Sequence, residues 1–266
     1  MQGVFQQFLH GSLQRRFGID LDDTVMVWAW SAVLTLPNLA GIIGTIGYSN
    51  KLSDLWGRKP AFLLAGPGLV LVSCCCFIGA YWLDSSILFI VGLLLQRASY
   101  SMGNAISVTY LMETCSPEAR ASAVVLGSAV HNLGETVGAI LCNEKLFGTE
   151  TEWWQVYGIL AVPVLVLLVV GQLVLPQSPK WLLVMKRDRD GALKALKSFR
   201  VPGDRAHQIL EAARQEDVNR SQRGERVTYS RLLFNRRYSR FVVVIILVGL
   251  TGPLSMGGHL LQMFST

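Results

Sequence analysis

The sequence lacks charged residues over most of its length. Only 16% of its 266 residues are charged, whereas soluble proteins contain roughly 25%. Residues 24–48 and 61–83 contain no charged side chain, and each stretch can cross a bilayer, which takes about 20 helical residues. Four more long apolar stretches cover residues 87–112, 121–143, 153–175 and 241–266. Six such stretches exclude a soluble fold and predict an all-α, polytopic membrane bundle, because helices satisfy their own backbone hydrogen bonds in lipid.

Several functional classes lack their signatures. Of the five cysteines, residues 74–76 lie together inside an apolar stretch and do not form the disulfide framework of a secreted domain. His131 and Glu135 lack further convergent ligands for a metal ion. The segment 134–138 contains glycines but falls mid-membrane, where it cannot hold a nucleotide. With no nucleophile elbow either, the sequence predicts no enzyme, no cofactor and no metal site.

The basic residues are distributed unevenly between the two sides of the predicted bundle. Residues 1–23 lack the apolar core of a cleavable signal peptide, and we expect them to form an extracellular loop. One side of the membrane receives three Lys and Arg residues and the other receives twenty. This asymmetry places residues 49–60, 113–120 and 176–240 in the cytoplasm. It also argues against a nucleic-acid partner, although the net charge is +6.

The long polar segment 176–240 has a helical pattern of its own. Apolar residues line one face of residues 190–199 and of residues 206–218, and a proline- and glycine-containing turn separates them. We therefore expect a small cytoplasmic helical linker between the fifth and sixth apolar stretches.

Four motifs occur in the predicted loops and helices. Residues 54–59, DLWGRK, form a predicted tight hairpin loop and resemble the D-R-x-G-R-K/R signature of the major facilitator superfamily. Residues 113–120 resemble the E-x-x-x-x-x-x-R loop of its sugar porters, residues 131–134 resemble their H-Q-L-G, and residues 176–183 resemble their P-E-S-P-R-x-L-L. Because order and spacing also match, the chain is identified as similar to the facilitative glucose transporters.

The resemblance implies a partial major facilitator fold. Family members have twelve helices in two halves, joined by a helical cytoplasmic domain. The six stretches correspond to family helices two to seven, so helix one and helices eight to twelve are expected to be absent. The implied activity is transport of a small polar solute, a hexose or polyol, by alternating access, in a multi-pass protein of the plasma membrane.

In the family, the loop signatures form a cytoplasmic charge lock. Arginine suits such a lock because its planar fork holds carboxylates bidentately. The alternative is that the basic residues only anchor the loop in the cytoplasm. The gate residues implied by the resemblance are Asp54, Gly57, Arg58, Lys59, Glu113 and Arg120. The signature after the fifth stretch supplies Pro176, Ser178, Pro179 and Lys180.

Polar residues also occur inside the predicted membrane helices. Arg97 matches the arginine of the family's fourth helix, and a buried membrane charge indicates function. His131 and Glu135 are four residues apart and share a helix face. We expect Arg97 and Glu135 to form an ion pair, with His131 or Asn132 alongside; the alternative is a structural polar cluster. Asn132 replaces the family's sugar-binding glutamine, so Asn132 and His131 are the predicted substrate contacts, with helix–helix bonding as the alternative.

Two other functions compete with transport. The family's Q-Q-L-S-G-x-N reads GPLSMGG at residues 252–258, without its amides. This departure favours a regulatory or pseudo-transporter protein that does not transport and that pairs with a full-length transporter. A membrane receptor is the other alternative, and the loop signatures argue against it.

Overall fold

The computed structural model describes residues 2–18, 22–115, 117–199 and 201–222. Throughout these ranges the regular structure is helical, which confirms the predicted all-α fold. The helices are α1 (Gln2–Phe17), α2 (Asp23–Ile43), α3 (Asn50–Trp56), α4 (Arg58–Leu63), α5 (Leu69–Trp82), α6 (Ser86–Thr114), α7 (Pro117–Leu141), α8 (Trp153–Val174), α9 (Pro179–Val184), α10 (Arg189–Ser198) and α11 (Gly203–Gln222).

The chain divides into two units, residues 1–214 and 215–266. Of the second unit, the described residues are the end of α11, and the predicted sixth membrane stretch at 241–266 lies outside them. Five helical segments in the described part are long and apolar enough to cross a membrane. They are Thr24–Trp56, Arg58–Trp82, Ser86–Thr114, Glu118–Leu141 and Trp153–Val174.

The first membrane segment extends further than the sequence analysis expected. A π-helical turn at Gly44–Ser49 joins α2 to α3, so the segment stays helical to Trp56. The break is Gly57 alone, with φ 95° and ψ 164°, and α4 begins at the next residue. The predicted tight loop at residues 54–59 is therefore wrong in its length, because only Gly57 lies outside the two helices. Only glycine occupies this backbone region readily, so one residue is enough to end α3 and begin α4.

The N-terminal segment was expected to be an extracellular loop, and residues 2–17 instead form α1. Phe5, Phe8 and Leu9 are spaced at i, i+3 and i+4, which places them on one helix face. Leu9 is buried, and the rings of Phe5 and Phe8 both contact Phe89 of α6 and Trp153 of α8. Burial of this aromatic face against α6 and α8 stabilises α1. The predicted loop at residues 1–23 did not include this helix.

Polar contacts fix α1 to the turn between α5 and α6, and we call Ser12, Arg15, Asp84 and Ser86 the outer clamp. Arg15 donates to both carboxylate oxygens of Asp84, at 2.6 and 2.8 Å. The buried Ser12 hydroxyl donates to the Asp84 carbonyl and accepts from the Ser86 amide, each at 2.9 Å. The hydrogen bond from Arg15 lowers the pKa of the Asp84 carboxyl below its ordinary value.

Helix α6 is the central element of the bundle and packs most extensively on α5 and α2. Near the outer clamp, Phe77 and Phe89 are fully buried in an aromatic cluster. At the other end, Met102 and Ile106 of α6 pack against Ala61 and Ala65. The α6 face opposite these contacts is more exposed in the described part.

The predicted cytoplasmic linker is helical. Helices α10 and α11 correspond to the two amphipathic patterns, and α9 precedes them. Ser178 caps α9 by accepting from the Trp181 amide, and Asp188 caps α10 by accepting from the Gly191 amide. Leu196 and Leu210 are buried together between α10 and α11.

Candidate functional site

An ionic network lies where α3, α4 and α6 meet, and we call Asp54, Arg58, Glu113, Ser178 and Trp181 the inner ionic cluster. Arg58 donates from Nε to both Glu113 oxygens, at 3.1 and 3.2 Å, and from Nη2 to Oε1 at 3.1 Å. Its Nη1 donates to Asp54 Oδ1 at 2.7 Å. The side chains of Arg58 and Glu113 are 13% and 12% exposed. One arginine thus joins two carboxylates in a half-buried setting, which strengthens charged hydrogen bonds.

The linker after α8 closes this cluster from a second direction. The Ser178 hydroxyl donates to Glu113 Oε2 at 2.5 Å. The Trp181 indole Nε1 donates to the Asp54 carbonyl at 3.0 Å. Both residues are buried. Glu113 therefore accepts hydrogen bonds from α4 and from the N-cap of α9, so a movement of the linker that displaces Ser178 would remove one of these bonds.

Gly57 permits the close approach of the linker to the helix break. A side-chain carbon at Gly57 would overlap the Gln177 side chain. Gln177 Oε1 accepts from the Lys59 amide at 2.9 Å, and Lys59 Nζ donates to the Gln172 carbonyl at 2.6 Å. The glycine is thus required twice, for its positive φ and for the space that Gln177 fills.

The structure brings most of the predicted gate residues together. Asp54, Arg58 and Glu113 bond directly, with Gly57 and Lys59 beside them. Arg120 lies apart from this network, and its Nε donates to the Cys115 carbonyl at 3.3 Å. The position of Arg120 at the start of α7 lets it cap the end of α6 instead of binding a carboxylate.

The residues of the signature after α8 have different roles: one bonds within the inner ionic cluster, and the others position the linker next to it. Ser178 joins Glu113, as described above. The Pro176 carbonyl accepts from the Tyr110 hydroxyl at 2.7 Å, which ties the signature to α6. Pro179 opens α9 and is buried.

A second group of polar side chains follows the more exposed face of α6, beside Gly41 of α2. Arg97, Tyr100 and Asn104 are exposed in the described part, and Ser101 lies between them at intermediate burial. Their spacing of i, i+3, i+4 and i+7 puts them on one stripe. The buried residues of α6, among them Ser99, Met102, Gly103, Ile106 and Tyr110, occupy the opposite face.

Helix α7 carries a matching stripe. Ser128, His131, Asn132 and Glu135 share one face, and apolar residues including Leu126, Val130, Leu133 and Val137 occupy the other. No residue of Glu118–Leu141 is buried by the rest of the described chain. Polar groups at membrane depth must face protein or water. We call the space between the two polar stripes the polar cleft.

Aromatic stacking connects the two stripes. The Tyr100 ring of α6 stacks on the His131 ring of α7, with centroids 5.1 Å apart and planes at 26°. His131 Nε2 lies 3.2 Å from Glu135 Oε1, and these side chains are 41% and 60% exposed. Asn132 is exposed on the same stripe. The two predicted substrate contacts therefore line the polar cleft.

The expected ion pair between Arg97 and Glu135 is absent from the described contacts. Glu135 turns along its own helix to His131. The stem of Arg97 lies against α2, with Cγ 3.5 Å from the place where Gly41 would carry a side chain. The two intramembrane charges belong to facing stripes but have different neighbours. The helix backbone holds His131 one turn from Glu135, whereas Arg97 lies on another helix and is not held near Glu135 in this way.

Three residues that contribute to these sites, Tyr100, Gln177 and Trp181, are not among those predicted from the sequence. Gln177 and Trp181 lie inside the loop signature, but the contacts they make are with residues more than a hundred positions earlier. Tyr100 is three residues from Arg97, so a helical wheel of the third stretch would have placed both on one face. Within the described ranges, no group of three or more His, Cys, Asp and Glu side chains could hold a metal ion.

The sequence model described as Major Facilitator Superfamily matches residues 7–266. The chain belongs to this superfamily. The sequence is 28% identical to solute carrier family 2, facilitated glucose transporter member 9 of Pongo abelii, over 91% of this chain and 41% of that one. It is 27% identical to member 11 of Homo sapiens, over 92% of this chain and 48% of that one.

The solved structures agree on the fold. The proton:xylose symporter XylE bound to 6-bromo-6-deoxy-D-glucose aligns with a TM-score of 0.63 and 16% identity, over 85% of this chain and 53% of that one. A partially occluded inward-open form of XylE from E. coli aligns with a TM-score of 0.58 and 17% identity. The chain spans about half the length of these relatives. The predicted resemblance to sugar porters is confirmed, and this major facilitator protein is a multi-pass membrane protein.

Proposed function

We propose that this major facilitator chain takes part in transmembrane transport of a small polar solute, a sugar or polyol, by alternating access. The inner ionic cluster acts as a cytoplasmic gate, and the polar cleft between α6 and α7 forms part of the solute path. The observation that carries the proposal is the half-buried bond network between Arg58 and Glu113, which the linker joins through Ser178.

The composition of the inner ionic cluster supports a gate. Its bonds join three separate parts of the chain, namely the α3–α4 break, the end of α6 and the start of α9. A network that closes in one state and opens in the other gives two discrete arrangements, as alternating access requires. The charges are partly exposed to the cytoplasmic side, so water can solvate them when the bonds break.

The polar cleft supports passage of a hydroxylated solute. Asn132, with an amide that both donates and accepts, lies on the same stripe as His131 and Glu135. Sugars and polyols carry hydroxyl groups that do the same. The relatives are named as facilitated glucose transporters and a proton:xylose symporter, and transporters of this kind carry solutes without catalysing a chemical reaction.

Uptake by the purified full chain in proteoliposomes tests this proposal. We expect saturable uptake of radiolabelled D-glucose or D-xylose above that of empty liposomes, with a rate roughly tenfold lower for Arg58→Gln because the gate loses both carboxylate bonds. Glu150→Gln, an exposed carboxylate in the α7–α8 connection, is the matched control and should retain uptake. Saturable uptake that Arg58→Gln leaves unchanged would contradict the gate.

Absence of uptake for all variants would contradict transport by this chain. It would favour the alternative of a regulatory protein that pairs with a full-length transporter. Co-reconstitution with such a transporter then distinguishes the two, because a regulatory chain changes the rate of its partner.

A further inference from the structure

The two intramembrane charges lie at one level of the polar cleft. Helix α6 ends at Thr114 and α7 begins at Pro117, and so short a connection is typical of antiparallel neighbours. The Tyr100–His131 stack marks a common level. Arg97 precedes Tyr100 by three residues and Glu135 follows His131 by four. Both charges are thus about one helical turn, roughly 5 Å, further from the connection than the stack.

Arg97 and Glu135 are both exposed in the described part, and each lies against a different neighbour. Arg97 is exposed and rests on α2, and Glu135 is 60% exposed and rests on His131. Among the described residues nothing joins one charge to the other. The stacked rings of Tyr100 and His131 lie on the side nearer the α6–α7 connection, and Asn132 lies beside them on the α7 stripe.

We propose that Arg97 and Glu135 flank a solute subsite that takes a neutral, polyhydroxylated molecule and discriminates by charge. One solute hydroxyl donates to the Glu135 carboxylate, and another accepts from the Arg97 guanidinium. A hydroxylated ring can do both because each hydroxyl is donor and acceptor. This inference rests on the proposed function, which it deepens by naming two specificity-determining residues and the class of solute they select.

Charge balance explains the expected selectivity. With both charges present, the subsite offers one cation and one carboxylate, so a solute with a net charge is attracted by one side and repelled by the other. Removing Glu135 leaves the cation in excess, and removing Arg97 leaves the carboxylate in excess. In a cleft bordered by lipid-embedded helices, such an imbalance has a larger effect than it has in water.

Binding to the full chain in nanodiscs tests the subsite without requiring transport. Radiolabelled D-glucose is competed near neutral pH by 6-amino-6-deoxy-D-glucose, a cation, and by D-glucuronate, an anion, which differ from glucose at the same carbon. Glu135→Gln should change the ratio of the two competitors' affinities by roughly tenfold in favour of the anion. Arg97→Gln should change the same ratio by a similar factor in favour of the cation.

Controls separate a subsite from a structural role. Glu135→Asp keeps the charge and should keep the ratio of the native chain. Glu150→Gln and Arg205→Gln remove exposed charges outside the membrane helices and should leave the ratio unchanged.

Three results would overturn the subsite. The first is an equal loss of affinity for all three sugars in both variants. The second is an unchanged ratio of the two competitors' affinities in both variants. The third is failure of the native chain to bind any of the three sugars. An unchanged ratio together with saturable uptake overturns the subsite and leaves the transport proposal standing.

Discussion

The inner ionic cluster and the outer clamp both join an arginine to a carboxylate, but they differ in burial. The side chains of Arg58 and Glu113 are 13% and 12% exposed, whereas those of Arg15 and Asp84 are 64% and 39% exposed. Solvent and ions screen an exposed pair, so it contributes little free energy. Breaking a buried pair leaves a charge without solvation and is costly. The inner site therefore depends on its charges, and the outer site on the apolar contacts of α1.

The largest effect should come from the helix break at the inner cluster. Gly57→Ala forces a side chain into a backbone region that only glycine adopts readily and into the space of Gln177. We expect the free energy of unfolding to fall by about 3 kcal/mol, measured by thermal unfolding in detergent. Gly127→Ala, where a side chain meets open space, is the control. An equal effect at both positions would show that Gly57 has no special role.

The next effect should come from the carboxylate that Arg58 and Ser178 share. Glu113→Gln keeps the shape but leaves the half-buried guanidinium with only the more exposed Asp54 as a charged partner. We expect destabilisation of about 2 kcal/mol. The double variant Arg58→Gln/Glu113→Gln should be less destabilised than the sum of the single variants. Strict additivity would mean that the two residues do not interact.

At the outer clamp, the buried hydroxyl should matter more than the ion pair. Ser12 is fully buried and bonds both the Asp84 carbonyl and the Ser86 amide. We expect Ser12→Ala to lower the free energy of unfolding by about 1 to 2 kcal/mol, because two buried backbone groups lose their partner. Arg15→Gln should cost less, and the opposite order would contradict the comparison between the two sites.

The smallest effect should be the pH dependence of the outer ion pair. The Asp84 pKa lies below its ordinary value because Arg15 donates to the carboxylate. The stabilisation is therefore present above the unfolded carboxyl's pKa of 3.8 and is lost as the pH falls through the lower folded value. Exposure limits it to well under 1 kcal/mol. The stability difference between the native chain and Arg15→Gln, measured by unfolding, should shrink below about pH 4; a difference that grows there would contradict this reading.

The sequence predicted contacts that motifs encode and missed those that depend on distant packing. Arg58 and Glu113 belong to two loop signatures, so their pairing followed from a resemblance. The helix α1 could not be predicted in this way, because Phe5 and Leu9 pack against aromatic rings that lie about eighty or more positions later in the chain. The same limit applies to Glu135. Its spacing from His131 predicted that the two residues share a helix face, but it could not show that Glu135 pairs with His131 instead of Arg97.

The central claim is that the inner ionic cluster opens and closes during transport. Spin labels on unnatural amino acids at two exposed positions, Leu55 in α3 and Lys186 after α9, allow the distance across this cluster to be measured in nanodiscs by pulsed electron paramagnetic resonance. The account predicts two distance populations, with the longer one enriched by Glu113→Gln and their ratio changed by D-glucose. A single distance that neither Glu113→Gln nor D-glucose alters would contradict it and make the cluster a static support.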